Sequence, residues 1–327
     1  MKFEEIKPMI DHLYEIDYKS VIVRVIADSY NSSADSRITT FELEYPRIIH
    51  GEVKTHRVLS GNSQSSRAVP VDSIANINKN DIVEPLFYGK NKAGMSADEE
   101  LSPEDVLKAR EIWLRAAKYA FEAAEELKNL GLHKQWANRI TEPFVKIKTV
   151  VTGTDWDNFY KLRLDKKTAQ PEFVYLAQKM KRAQGASDPI HLKPNEWHLP
   201  YISEADRHQY NINELLKISA SCCAQASYRK LDTSLEKAVS IYEKLFGEDV
   251  SHLSPTEHQA KAIDFNEMAN KIQLDRQYDG KTITDEGITH YMIGCLDSDN
   301  PHRGWHSGNL RGFVQHRQLI NKNGIIA

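Results

Sequence analysis

Between Thr55 and Ala68 the chain places His56, Arg57, Ser60, Asn62, Ser63, Ser65, Ser66 and Arg67 within fourteen residues, with almost nothing large and apolar among them. Such a run is poor core material, but it offers many hydrogen-bond donors to an anion. An arginine fork matches phosphate oxygens two at a time, and neighbouring Ser hydroxyls add short bonds. The chemistry expected is therefore phosphate binding. The alternative is a solvated, Ser-rich surface turn.

The run needs a scaffold. Residues 37–45 alternate, with Thr39, Phe41, Leu43 and Tyr45 on one face and Glu42 and Glu44 on the other, which predicts a half-buried strand stopped by Pro46. Ile48-Ile49-His50 then leads into the run, so it should hang off a sheet and a short helix. Ser102-Pro103-Glu104-Asp105 opens a long helix with a cap, a proline at the first position and acids in the first turn. Val106, Ala109, Trp113, Ala117, Ala120, Ala124 and Leu127 follow at three- and four-residue steps, an expected packing stripe, and Gly131 marks the stop. Pro171-Glu172 starts a second helix on Phe173, Leu176, Ala177 and Met180. Thr233-Ser234-Leu235-Glu236 reads as a capping box for a third, with Leu235, Val239, Tyr242 and Phe246 inside and Gly247 at its end. The Pro-, Asn-, Asp- and His-rich stretch 184–213 reads as a long loop or insertion. The expected class is α+β, mostly helical, with a small mixed or antiparallel sheet carrying polar loops.

Whole-chain properties narrow the chemistry. A chain of 327 residues has ample core, and its 40% apolar and 27% charged composition is ordinary for a soluble protein. A net charge of −3 gives no global drive toward nucleic acid, so anion binding must be local. No apolar run is long enough to span a bilayer, and Met1-Lys2-Phe3-Glu4-Glu5 is no signal peptide. Three cysteines, two of them adjacent at 222 and 223, make neither a disulfide framework nor a metal spacing, which suits a reducing cytoplasm. The 13 histidines include no His-Glu-x-x-His, so no metal is expected. Cys222 and Cys223 sit among Ile218, Ala220, Ala224 and Ala226, a setting of inert buried thiols.

The polar run resembles the signature of the flavin-dependent thymidylate synthases: Arg-His-Arg, two residues, Ser, one residue, Asn-Glu, one residue, Ser, one residue, Arg. His56, Arg57, Ser60, Asn62, Ser65 and Arg67 fall at matching spacings, while Thr55 replaces the first Arg and Ser63 the Glu. Arg139-Ile140-Thr141-Glu142-Pro143 is similar to the family's Arg-x-x-x-Pro segment. Asn158-Phe159 through Arg163 and Asp165, with Ala169-Gln170-Pro171-Glu172, resembles its Asn-Phe-x-x-x-Arg-x-Asp…Ala-Gln-x-Glu segment. A third segment, Ser-Tyr, a helix, then Ser-Pro-x-Glu-His, precedes the signature in shorter members. Here Ser227-Tyr228 and Ser254-Pro255-Thr256-Glu257-His258 follow it, as if permuted. The resemblance covers roughly 37–185 and, with changed order, 215–260 of a single domain spanning 1–327. It leaves residues 1–36, an insertion near 186–214 and a C-terminal segment 260–327 without a role, including the basic run Asn309–Arg317.

The resemblance implies a homotetramer with intersubunit sites that methylates dUMP, using FAD, methylenetetrahydrofolate and NADPH and no protein nucleophile. Arg163 would face the uracil ring as the catalytic cation. Ser65, Ser66, Arg67 and Arg139 would grip the nucleotide phosphate. His56, Arg57, Asn62, Asn158, Ser227 and His258 would hold the FAD. The departures at Thr55 and Ser63 keep open a hydroxymethylase, or action on a cytosine nucleotide such as dCMP. The rival of another class is a non-catalytic nucleotide- or RNA-binding protein.

Overall fold

The computed structural model describes residues 18–71, 81–94, 96–227, 231–245, 252–264, 282–285, 288–292 and 305–322. Five strands build the central sheet: β1 (Ile22–Asn31), β2 (Ser36–Pro46), β3 (Ser60–Ser63), β4 (Lys146–Gly153) and β5 (Ile190–Leu192), arranged β3-β4-β2-β1-β5. All neighbours are antiparallel except β5, which runs parallel to β1, so the sheet is mixed. A short turn of 3-10 helix at Arg47–Ile49 and α1 (His50–Val53) connect β2 to the signature.

The helices follow their local signals. In α2 (Pro103–Asn129) the Ser102 hydroxyl accepts from the Asp105 backbone N–H. Gly131 ends it at φ +87, while the Leu132 N–H returns to the Leu127 carbonyl at 2.9 Å. This is the pattern in which a left-handed residue satisfies the orphan carbonyls. Every residue of the expected α2 stripe is buried or half-buried. After α3 (Lys134–Ala137) and α4 (Asp157–Arg163) comes α5 (Pro171–Ala186), which buries Phe173, Leu176, Ala177 and Met180.

Three expectations need correction. The stretch 184–213 is no loop. It holds β5, β6 (Trp197–His198), α6 (Glu204–Gln209) and the Asn211 cap of α7 (Ile212–Ala224). Its capping boxes, Ser203 with Asp206 and Asn211 with Glu214, lie in the polarity that read as loop. The cap of α8 (Leu235–Leu245) is Ser234, whose hydroxyl accepts from the Lys237 N–H, rather than Thr233. The expected Phe246 and Gly247 end lies outside the described residues.

The third correction concerns β2, which is buried on both faces: Ile38, Thr40 and Glu42 are as enclosed as Phe41, Leu43 and Tyr45. One face packs on Trp156, Phe159, Phe173, Leu176 and Met180. The other is covered by elements after residue 190, including β7 (Ala260–Ala262). Further on come β8 (Thr282–Asp285), β9 (Ile288–Met292), β10 (Trp305–Ser307), β11 (Leu310–Arg311), β12 (Phe313–Gln315) and α9 (His316–Lys322). Strands β12-β7-β6 form a second sheet and β11-β10-β9-β8 a third. Ile38 meets Leu192, Ala260, Ala262, Leu310 and Phe313 in a second core. The closest approach is at Gly312, φ +76, where a Cβ would come 2.6 Å from that of Ser36. A positive φ together with that close approach leaves no room for a Cβ, which is why glycine stands there.

Candidate functional site

The signature is not a solvated turn. After Leu59 it pairs as β3 along β4, from Ser60↔Thr152 to Ser63↔Thr149, and His56, Ser60 and Ser66 are buried. Strand alternation sends Ser60 and Asn62 to one side of the sheet and Gly61 and Ser63 to the other. The sequence-predicted residues therefore divide into three groups.

The first group surrounds Arg163, at the C-terminal end of α4. Its Nε donates to His56 Nε2 at 2.8 Å, Nη1 to Glu52 Oε2 at 3.0 Å and Nη2 to Thr55 Oγ1 at 3.1 Å. The guanidinium carbon lies 4.5 Å from the Phe173 ring centroid. Because arginine only donates, His56 Nε2 must carry the lone pair and Nδ1 the proton. Burial, then the Arg163 charge, lowers the His56 pKa, in keeping with a neutral imidazole. The Phe159 ring meets His56 edge-on at 4.9 Å. Arg163 is thus a planar cation fixed on four sides, with 17% of its side chain exposed. His56, its hydrogen-bond partner, also lines a cavity of about 230 Å³ together with Val53, Lys54, Arg57, Leu59 and Thr149, among others; Arg163 itself is not in the lining. That volume is below the range for a whole drug-sized ligand and suits one ring system. Arg57 is exposed and has no polar partner among the described residues. Asn158 is exposed, about 140° round α4 from Arg163.

The second group gathers on Glu142, in the 3-10 segment Asn138–Phe144. Ser66 Oγ donates to its Oε1 at 2.9 Å, and Arg47 and Arg139 reach the same oxygen at 3.0 and 3.1 Å. Buried Asn138 donates to the carbonyls of Ser66 and Val69 at 2.7 and 2.9 Å, locking the backbone there. Ser65 Oγ accepts from the Arg67 N–H, and the Arg67 side chain is exposed. His50 Nδ1 shares a 2.8 Å hydrogen bond with Tyr45. Burial and the charges of Arg47 and Lys54 push the His50 pKa down to about 4. Arg47 and Glu52 are separated by one short helical stretch, so the two groups flank α1.

The third group lies across the sheet. Asn62 is engaged at both ends: Nδ2 donates to the Cys223 carbonyl at 2.6 Å, and Oδ1 accepts from Ser254 at 3.4 Å. Gln315 Nε2 reaches Ser60 Oγ, the Glu257 carbonyl and Asn309 Oδ1, while Asn309 Nδ2 donates to Ser60 and to the Val58 carbonyl. The displaced Ser254–His258 segment and the basic run Asn309–Arg317 thus both dock on the signature strand. A buried thread also crosses here: Ser29, His198, Thr40, Thr152 and His258 Nδ1 are linked by bonds of 2.9, 2.8, 2.7 and 2.8 Å. Burial holds both imidazoles at a pKa of about 3, and His258 Nε2 is buried with no partner among the described residues. Ser227 ends the turn Gln225–Ser227, but its side chain lies outside the described residues.

Sequence reasoning missed Arg47, Glu52, Glu142, His198, Asn309 and Gln315 as members of these groups. Asn309 and Gln315 lay in a run noticed for its basic character; the others carried no local signal. Both vicinal cysteines are buried, and desolvation raises Cys222 to about 12 and Cys223 well above the ordinary thiol range. Neither is a thiolate at neutral pH. Among the described residues no cluster of His, Cys, Asp and Glu is placed to hold a metal, and no helix is long and apolar enough to cross a membrane.

Comparison with curated proteins finds no match. Among solved structures, the UMP/dUMP methylase PolB from Streptomyces cacaoi bound with 5-Br UMP aligns with a TM-score of 0.41 and 16% identity, covering 50% of this chain and 88% of that one. Its complex with 5-Br dUMP aligns with a TM-score of 0.40 and 16% identity, covering 50% and 89%. The family model described as thymidylate synthase complementing protein matches residues 3–190, more than half of the chain, and spans the signature, Arg139 and Arg163. The chain belongs to that family, the flavin-dependent thymidylate synthases.

Proposed function

We propose that this protein is a flavin-dependent thymidylate synthase, methylating dUMP at C5 with the carbon of methylenetetrahydrofolate and electrons drawn from NADPH through FAD. The observation that carries the reading is the clamped Arg163 guanidinium, bonded to His56 in the wall of a ring-sized cavity, with both thiols of the Cys222-Cys223 pair buried and protonated. Uracil C5 becomes nucleophilic when the ring takes on enolate character, with negative charge shared between C5 and the C4 oxygen. A cation already held by Glu52, Thr55 and His56 stabilises that charge without reorganising. Being permanently protonated, Arg163 acts by charge and not as a base. Ser65, Ser66, Arg67 and Arg139 would hold the phosphate, which orients the reacting ring.

The residues present fit FAD through the polar groups left over after the chain's own bonds are made. These are the exposed Arg57 and Asn158 and the His56 Nδ1–H; His258, fully buried across the sheet, is not among them. Asn62, spent on Cys223 and Ser254, would shape the site rather than donate. When bound, FAD supplies the electrons that reduce the transferred carbon to a methyl group. Self-association into a homotetramer is supported by large apolar side chains left exposed on α2 and α3, namely Leu107, Ile112, Tyr119 and Trp136. Light scattering on the purified chain tests it.

The decisive experiment incubates the protein with dUMP, methylenetetrahydrofolate, NADPH and FAD and weighs the product nucleotide. A gain of one CH2 is expected. A colourless protein that takes up no added FAD overturns the reading. Ser63, standing where a carboxylate is usual, favours hydroxymethyl transfer as the second reading, and retained oxygen in the product would decide for it. Arg163→Lys keeps the charge but loses the fork, so turnover should fall about 100-fold while FAD binding persists.

A further inference from the structure

Three donors from separate parts of the chain converge on a single oxygen, Glu142 Oε1: Ser66 Oγ at 2.9 Å, Arg47 Nη2 at 3.0 Å and Arg139 Nη1 at 3.1 Å. Among the described residues the other oxygen receives only a 3.4 Å contact from Arg139. Two fixed positive charges therefore face one negative charge. A third cation, Arg67, stands exposed next to Ser66 in the chain. A phosphate monoester near neutral pH carries close to two negative charges and more acceptor oxygens than a carboxylate. It would balance the two guanidinia where Glu142 cannot.

The cradle is rigid on one side and open on the other. Asn138 pins the Ser66 backbone, and the Arg47 N–H is held by the Val145 carbonyl at 3.0 Å. Exposure rises from Arg47 at 16% through Glu142 at 24% to Arg139 at 50%, so an anion can reach the cluster from the Arg139 side.

We propose that Arg47 is a ligand of the nucleotide phosphate and that Glu142 Oε1 occupies the place of a phosphate oxygen, so that a monophosphate binds by displacing this carboxylate. The inference rests on the nucleotide reading above and adds a residue and a built-in competitor to it. Glu142 lowers affinity by holding the cradle's own donors, and it keeps two arginines from repelling one another when no phosphate is bound.

Calorimetric titration of the full chain as purified, with dUMP, deoxyuridine and inorganic phosphate, tests this. Glu142→Gln removes the competing charge and should tighten dUMP and phosphate about three- to tenfold, leaving deoxyuridine unchanged. Arg47→Gln should weaken dUMP tenfold or more, by roughly the worth of one charge-assisted hydrogen bond, again sparing deoxyuridine. Unchanged or weaker dUMP binding in Glu142→Gln would make the carboxylate a brace for the arginines and overturn the proposal. So would an equal loss of dUMP and deoxyuridine in Arg47→Gln, or a parent protein that binds neither phosphate nor dUMP. Should Glu142→Gln not fold, the selectivity of Arg47→Gln decides alone. A parent that binds inorganic phosphate more tightly after Glu142→Gln, yet never dUMP, keeps the cradle and removes the nucleotide reading. A parent that binds dUMP with no such tightening does the reverse.

Discussion

The two faces of β2 are built from alternate residues of one strand and solve burial in opposite ways. Phe41, Leu43 and Tyr45 join an aromatic cluster with Trp156, Phe159 and Phe173, where contact is non-directional and a neighbour can shift slightly without losing its partner. Thr40 and Glu42 are equally buried, but each of their polar atoms needs a particular mate. Burial pushes the Glu42 carboxyl up. Hydrogen bonds from Lys148 and Tyr201, with the charges of Lys148 and Arg24, outweigh this and hold it below its ordinary value. Tyr201 reaches Glu42 at 2.8 Å from a backbone at φ +64, a conformation that bulky residues avoid. The apolar face stabilises by area, whereas the polar face specifies how the C-terminal half sits on the signature.

The difference can be broken most forcefully from the apolar side. Phe173 is fully buried and also lies beneath Arg163. Phe173→Ala should cost about 3–5 kcal/mol in denaturant unfolding, more than any single polar change across the sheet. A loss below that of the polar-face variants would mean the aromatic cluster is not the main source of stability.

Acid should act on the polar face instead. His198 and His258 fall from an ordinary 6.5 to about 3 in the fold. Between those values the unfolded chain binds protons that the folded one refuses, so stability declines as pH falls from 6.5 toward 3 and is fully present above 6.5. Each imidazole should remove about 2 kcal/mol between pH 6.5 and 5. His198→Asn should flatten that slope. A melting temperature constant from pH 7 to 5 would contradict the neutral, sealed thread.

Smaller effects sharpen the picture further. Gln315→Ala strips one amide from Ser60, Glu257 and Asn309. Leaving such groups unmet should cost about 1–3 kcal/mol and raise hydrogen exchange at Ser60 and Asn309. The double change of Cys222 and Cys223 to Ala should leave turnover within about twofold of the parent, because neither thiol is ionised. Lost turnover in a folded variant would reinstate a protein nucleophile.

Local code and long-range consequence separate cleanly in this molecule. The Ser102 cap, the α2 stripe, the Gly131 stop and the apolar side of α5 could be read directly, since each depends on residues within one or two turns. The donor-rich run could be read as anion chemistry because side-chain type limits what such groups bind, whereas Arg163 was singled out only by its place in the family-like segment that begins at Asn158. Residues 184–213 misled because polar capping residues serve helices and loops alike.

What the amino-acid order determined alone was therefore the inventory: helices, the alternating strand, and a cluster of guanidinium, imidazole and hydroxyl groups suited to an anion. Tertiary structure decided which of these meet. It buried the second face of β2, brought Ser254 and Gln315 onto Asn62 and Ser60, and aimed Arg47, Ser66 and Arg139 at one oxygen of Glu142. Apart from Arg139 and Glu142, which are close neighbours in the chain, these pairings link positions from 76 to 255 residues apart, and the hydrogen bond that selects each partner exists only once the backbone has been placed.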